Sequence, residues 1–260
     1  MLLPISPQQV ESVLESIRSQ RKPYMVKMTS SSQTIRNADI GYVASQFHLG
    51  RGALSNLIHC RSEILKRAKT IDLTVPAEVR WCAVSDYFVS DQPPRKMFVS
   101  EFDLSHAYWR AALMLGFISE VTYHKFLKFK SKRLRLIALG MLAKKQQIVE
   151  YDATGKETDR RMVVDEIGQQ IFKRISSEVA GEMQRLSQVH EQDFRFYWMD
   201  NLVVAGGVRS IESPYEWRRD ERLMDFKYKR EHFCFQLASD RRFILPQSAL
   251  QPGGMYEVPF

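Results

Sequence analysis

The sequence predicts an α+β fold, and three observations carry that expectation. Between residues 158 and 190, Val163, Ile167, Ile171, Ile175, Val179, Met183 and Leu186 recur at helical spacing. The period then changes, because 194–199 is aromatic, strand-like sequence and 202–205 returns as a second strand. No internal repeat or low-complexity tract interrupts the chain, so strands separated by long helices form its basic order. Such an order suits α+β, with α/β the other arrangement it permits. At 260 residues the chain makes one large domain or two small ones.

From the N-terminus, residues 7–20 (PQQVESVLESIRSQ) read as a short amphipathic helix and 29–32 as a loop. Ile40, Val43, Phe47, Leu49, Leu54, Leu57, Ile58 and Leu65 then give 37–69 a helical pattern. Within it, YVASQFHLGRGALSNLIHCR reads as two helices joined at Leu49-Gly50. That layout resembles a helix-turn-helix over 38–66, whose second helix (about 51–61) turns Ser55, Asn56 and His59 outward. Arg51 and Asn56 are its candidate nucleic-acid contacts. Residues 1–75 are therefore expected to be mainly helical.

Residues 79–102 read as strand, Pro-Pro turn, strand, followed by a helix from Ser105 to about Leu115. A second helix is expected over about 122–145. The segment QIVEYDATGK (147–156) has a strand followed by Asp-Ala-Thr-Gly turn chemistry. Asp200-Asn201 suits the tight turn of a hairpin, and 226–237 and 241–245 add two strands.

Charge is unevenly spread. Between Val121 and Val149 stand eight basic residues (Lys125, Lys128, Lys130, Lys132, Arg133, Arg135, Lys144 and Lys145) and no acid, matching the whole net charge of +8. Clustered positive charge is the footprint of a polyanion partner, with a solvated helix face as the plainer reading. On a helix, Lys125, Lys128, Lys132 and Arg135 fall within an arc of roughly 80°. Phe126, Leu127, Leu134, Ile137 and Met141 gather on the other side, so one face packs and the other presents cations.

Other classes find little support. No apolar run approaches a membrane span, and the N-terminus puts apolar residues before charges, the reverse of a secretory signal. Cys60, Cys82 and Cys234 show no CxxC pairing, which suits a reducing, cytoplasmic setting. The six histidines form no HExxH pair, and GxSxG, GxxxxGK[ST] and GxGxxG are absent.

Two carboxylates remain. Asp103 follows the predicted strand MFVSEF, and Asp200 sits at the predicted turn of FYWMDNLVV. If the strands are neighbours, both carboxylates project from one sheet edge, where a hard cation such as Mg²⁺ relieves their repulsion. Two such ions serve phosphoryl transfer by activating the attacking hydroxyl and stabilising the leaving oxygen. Taken singly, each residue has a plainer reading: Asp103 as a helix N-cap, Asp200 as a turn residue, Tyr108 as a core tyrosine.

The order of these pieces resembles the palm and fingers of a family B DNA polymerase, especially the compact, protein-primed viral kind, over about 98–205. That family's first motif, Asp-x-x-Ser-x-Tyr, is matched by Asp103 and Tyr108 at the same interval, with Ser105 one place early. Its fingers motif places lysine eight residues before glycine, as do Lys132 and Gly140. Its third motif, Asp-Thr-Asp-Ser, aligns its second aspartate with Asp200, its serine with Asn201 and its first aspartate with Trp198. Tyr228, between Lys227 and Lys229, loosely resembles a Lys-x-Tyr primer-gripping motif.

The resemblance implies a palm-like antiparallel sheet backed by helices, and a metal-dependent nucleotidyltransferase that extends nucleic acid with deoxynucleoside triphosphates. It implies palm segments at 76–120 and 158–260 around a fingers-like region at 121–157. Asp103 and Asp200 would be catalytic and ligate Mg²⁺ or Mn²⁺. Tyr108 would pack against the sugar and exclude a 2′-hydroxyl, and Lys132, with Lys128 and Arg135, would hold the triphosphate. Lys125, Lys227, Tyr228 and Lys229 would contact nucleic acid, DNA ahead of RNA. The 97 residues before Phe98 are too short for the usual exonuclease, and about 55 after the hairpin leave a small or missing thumb. The alternative is a non-catalytic DNA-binding or replication-accessory protein with a degenerate palm and a replication-protein partner. A structural or protein-interaction domain with no nucleic-acid role is the third reading.

Overall fold

The computed structural model describes residues 2–29, 32–45, 51–76, 79–85, 96–129, 132–229, 232–237 and 242–246. Its described residues form an α+β structure with two antiparallel-rich sheets and six α-helices. The chain divides into two compact units, each built from separate segments. Residues 1–66 and 126–172 make the first, and residues 67–125 and 173–259 the second.

The first unit's sheet has six strands: β1 (Leu2–Ile5), β2 (Tyr24–Thr29), β3 (Ser32–Asn37), β4 (Gly41–Ser45), β7 (Lys145–Tyr151) and β8 (Glu157–Val164), in the order β1-β4-β3-β2-β7-β8. Only β1 and β4 run parallel. Helix α1 (Val10–Ser19) covers one face of β2 and β3, burying Ile17 with Tyr24, Val26 and Ile35. Tyr24 stacks on Tyr151 with centroids 4.7 Å apart, tying β2 to β7. The period-2 alternation of Tyr24, Val26 and Met28 with Met25 and Lys27 is what a half-buried strand requires.

The N-terminal region is thus a strand-rich sheet with helices, which corrects the mainly helical expectation. Tyr42 and Val43, expected in the first helix of a helix-turn-helix, lie in β4, paired with β3. Residues 46–50, including the Leu49-Gly50 joint, fall outside the described residues. Helix α2 (Arg51–Arg67) therefore follows a strand, and the helix-turn-helix is not formed. The β-branched and aromatic side chains of 41–45 favour a pleated strand once β3 offers a partner edge.

The second unit's sheet is antiparallel throughout, in the order β13-β12-β11-β6-β10-β9-β5. Its strands are β5 (Cys82–Val84), β6 (Lys96–Leu104), β9 (Phe194–Trp198), β10 (Asn201–Ala205), β11 (Trp217–Lys229), β12 (His232–Leu237) and β13 (Arg242–Pro246). The expected hairpin at 194–205 is present as β9 and β10. Strand β11 begins at Trp217, earlier than the expected 226, because Arg218 to Arg222 already pair with β6. The Pro-Pro turn lies outside the described residues. Val99, Phe102, Leu104, Leu202, Val203 and Val204 are all at most 2% exposed, so the middle of the sheet is buried on both faces.

Helix α3 (Ala107–Met114) follows β6, and Ala107, Trp109, Ala111 and Ala112 are buried. The single helix expected over 122–145 is instead two short ones, α4 (Glu120–Leu127) and α5 (Arg133–Gly140). Lys128 and Lys132 at i and i+4 repel along one face of a continuous helix, and the described chain leaves the helix between them. Phe129 packs edge-on against Phe126 just past α4. Helix α6 (Glu166–Val189) starts later than the expected 158, since 157–164 pairs as β8 across a turn with Gly155 at φ +83°. Ile171, Ile175, Val179, Met183 and Leu186 form its buried stripe. Among the described residues no helix is long and apolar enough to cross a membrane.

Candidate active site

Strand β6 delivers Asp103 near its C-terminal end, and the β9–β10 turn delivers Asp200 beside it. Antiparallel pairing sets Asn201 directly opposite Asp103. The Leu104 backbone N–H donates to the Asp200 carbonyl at 2.9 Å, which closes the ladder at this edge. Asp103 and Asp200 are therefore brought together at one end of neighbouring strands. Asp103 belongs to β6 and does not cap a helix: the α3 N-cap is His106, in a left-handed conformation at φ 56°. Met199, just before Asp200, is left-handed too, at φ 55°. Two non-glycine residues in that region flank the two aspartates, and such conformations persist where surrounding structure holds them.

Tyr108, on the first turn of α3, completes this group. Its hydroxyl is buried with no hydrogen-bond partner among the described residues. Burial pushes the phenol well above its ordinary pKa, and the nearby Asp200 carboxylate raises it further. The phenol therefore stays protonated, a donor facing an acidic neighbour.

Next to this group lies a charged network that the sequence reading missed. Glu101 is two residues from Asp103 on the same face of β6 and is 2% exposed. Asn201 Nδ2 donates to Glu101 Oε1 at 2.7 Å, and Arg222 Nε lies 3.3 Å from Glu101 Oε2. Arg222 also pairs with Asp220 at 2.7 Å. Arg218, opposite Asp103 in the ladder, reaches Asp103 Oδ2 at 3.4 Å. The alternation Arg218, Asp220, Arg222 puts all three on the face of Glu101 and Asp103, and it is the signal that would have found them.

The candidate donors Asp103, Asp200 and Tyr108 all offer oxygen, the atom type a hard cation such as Mg²⁺ takes. Among the described residues no group of three His, Cys, Asp or Glu side chains is placed to hold a metal ion alone. One or two carboxylates completed by water and substrate phosphates is nevertheless the usual Mg²⁺ arrangement, so the residues fit. Arg218 competes for Asp103, with its own side chain 60% exposed and also near Asp220 at 3.9 Å.

Lys128 and Lys132 are exposed in the first unit, as Lys125 is in the second. Arg135, expected on the cationic face, is 7% exposed, and its Nη1 donates to the Phe126 carbonyl at 2.9 Å. It thereby satisfies a backbone group in the last turn of α4. Asn56 is half-buried on α2; the side chain of Arg51 lies outside the described residues. Lys227, Tyr228 and Lys229 pair with β12 through their backbones, and their side chains too are outside the described residues. Cys60 and Cys82 are buried, which pushes both thiols up to about 12 and leaves neither a ready nucleophile. No protein-family model, curated protein or solved structure matches this chain.

Proposed function

We propose that the second unit is a palm-like nucleotidyltransferase core that extends nucleic acid with deoxynucleoside triphosphates, using Asp103 and Asp200. One observation carries this reading: β6 and the β9–β10 hairpin, 100 residues apart in sequence, are adjacent strands that set the two aspartates at one edge. Tyr108 follows at the interval the family B motif requires, with its hydroxyl near Asp200. Asp103 and Asp200 would hold Mg²⁺ or Mn²⁺, which when bound neutralises phosphate charge and favours attack by a hydroxyl. The protein's own part would be to hold Asp103 and Asp200 at the ends of β6 and the β9–β10 hairpin, with the Tyr108 ring near Asp200 as the sugar's backing surface. Glu101, Asn201 and Arg222 brace the strand ends that carry the aspartates.

The test is template-dependent nucleotide incorporation with Mg²⁺ or Mn²⁺. Wild type is expected to incorporate, and Asp103→Ala and Asp200→Ala each to lose more than about 100-fold, beyond what even outer-sphere metal partners cost. A second reading, a DNA-binding protein with a degenerate palm, draws on Arg218 beside Asp103 and on Trp198 where the family has an aspartate. It predicts no incorporation by wild type, with DNA binding unchanged by Asp103→Ala.

A further inference from the structure

We propose that the face of the first unit's sheet opposite α1 binds the phosphates of a nucleic-acid strand, through a row of cations formed by Arg36, Lys27 and Lys144. One face of β2 and β3 is closed by α1. The opposite face carries Met25, Lys27 and Thr29 on β2, with Arg36, Thr34 and Ser32 as their cross-strand partners. These side chains, with Lys144 just before β7 and Gln146 within it, line a cavity of about 330 Å³.

Its chemistry is that of an anion site. Three cations and three hydroxyls (Thr29, Ser32 and Thr34) line it, and among the described residues no carboxylate does. Elsewhere the chain pairs its arginines closely: Arg61 with Asp165, Arg174 with Glu178, Arg185 with Glu182, Arg222 with Asp220. Lys27, Arg36 and Lys144 have no ion pair with any carboxylate among the described residues. On the same face of β7 and β8, Glu150 and Asp159 are both engaged by Arg161. Lys144 is partly withdrawn from water, and that burial together with the charge of Lys27 lowers its pKa. The free protein thus holds like charges together that an incoming anion would relieve.

The arrangement favours a strand over a single compact phosphate ligand. Same-face positions on a strand are about 6.6 Å apart. Arg36 lies at the Met25 pair, Lys27 one step along at the Thr34 pair, and Lys144 a further step along, with Nζ 3.5 Å from Ser32 Oγ. The cations are strung along the strands, as successive phosphates are along a chain. Nothing in this site involves Asp103 or Asp200, so it stands whether or not the second unit is catalytic.

The test uses the full chain and a fluorescently labelled single-stranded oligonucleotide, titrated at several salt concentrations. Lys27→Ala/Arg36→Ala/Lys144→Ala is expected to bind at least tenfold more weakly and to flatten the salt slope by about 2, as losing three phosphate contacts requires. Lys69→Ala, at an exposed lysine that does not line the cavity, is expected to bind like wild type. Lys27→Arg/Lys144→Arg, which keeps the charges, is expected to retain binding, separating lost contacts from misfolding. Oligonucleotide binding by the triple alanine variant equal to wild type overturns the proposal. So does displacement of the oligonucleotide from this face by equimolar deoxynucleoside triphosphate, which would make a mononucleotide the occupant.

Discussion

Glu101 lies in the middle of a strand buried on both faces, where an ionised carboxylate is costly unless compensated. Asn201 and Arg222 supply that compensation across two neighbouring strands. Removing one partner of a buried pair is expensive, whereas neutralising both is tolerated. Arg222→Met is therefore expected to cost about 3 kcal/mol of unfolding free energy, falling to about 1 kcal/mol when Glu101→Gln is added. Urea midpoints at constant m-value measure this, and strictly additive losses would show that Arg222 does not answer Glu101. The aspartates could be singled out from the sequence because each adjoins a strand and a turn with strong local signals. Glu101 could not, since its partners are fixed by the pairing of β6 with β10 and β11, which no local pattern reveals.

At the scale of elements, the start of α6 shows how tightly one junction is specified. Asp165 Oδ1 accepts the Gly168 backbone N–H at 2.9 Å, as an N-cap does, while its Oδ2 meets Arg61 Nη2 at 2.6 Å. Gly168 has no room for a side chain: a Cβ there would clash with the Leu142 carbonyl oxygen. Asp165→Ala is expected to destabilise by about 1–2 kcal/mol, and Asp165→Asn, which keeps the cap, by less than half of that. Gly168→Ala is expected to lose about 1–3 kcal/mol, as overpacking does. Thermal melts decide, and equal losses for Asn and Ala at 165 would assign the effect to the ion pair alone. The hairpin β9–β10 and most of α6 were legible because period and turn chemistry agree within a short window. β2, β3 and β8 were not, for they mix Met, Thr, Ser, Lys and Arg, and their pleat shows only against partner strands.

Across the whole molecule, neither unit is continuous in sequence. In the first, β2 pairs with β7 about 120 residues later; in the second, β6 pairs with β10 about 100 and with β11 about 120 residues later. A fragment of residues 1–125 therefore lacks β7 and β8 of one sheet and five of the seven strands of the other. It is expected to show no cooperative thermal transition by circular dichroism, and co-expression with 126–260 is expected to restore one. A cooperative melt of 1–125 alone would show that the long-range pairings are dispensable. The α+β class was readable because it needs only the sequence of periods. The division into interleaved units was not, because it depends on which distant strands meet.

The central place of β6 has a consequence for how this protein is made. At roughly 5–20 residues per second, a ribosome needs some 5–20 s after releasing β6 to deliver β10. Through that interval a nascent strand carrying Val99, Phe102 and Leu104 has both hydrogen-bonding edges open. In the cell that is the window in which a holdase chaperone would be needed, and in which crowding on a polysome would turn folding into aggregation.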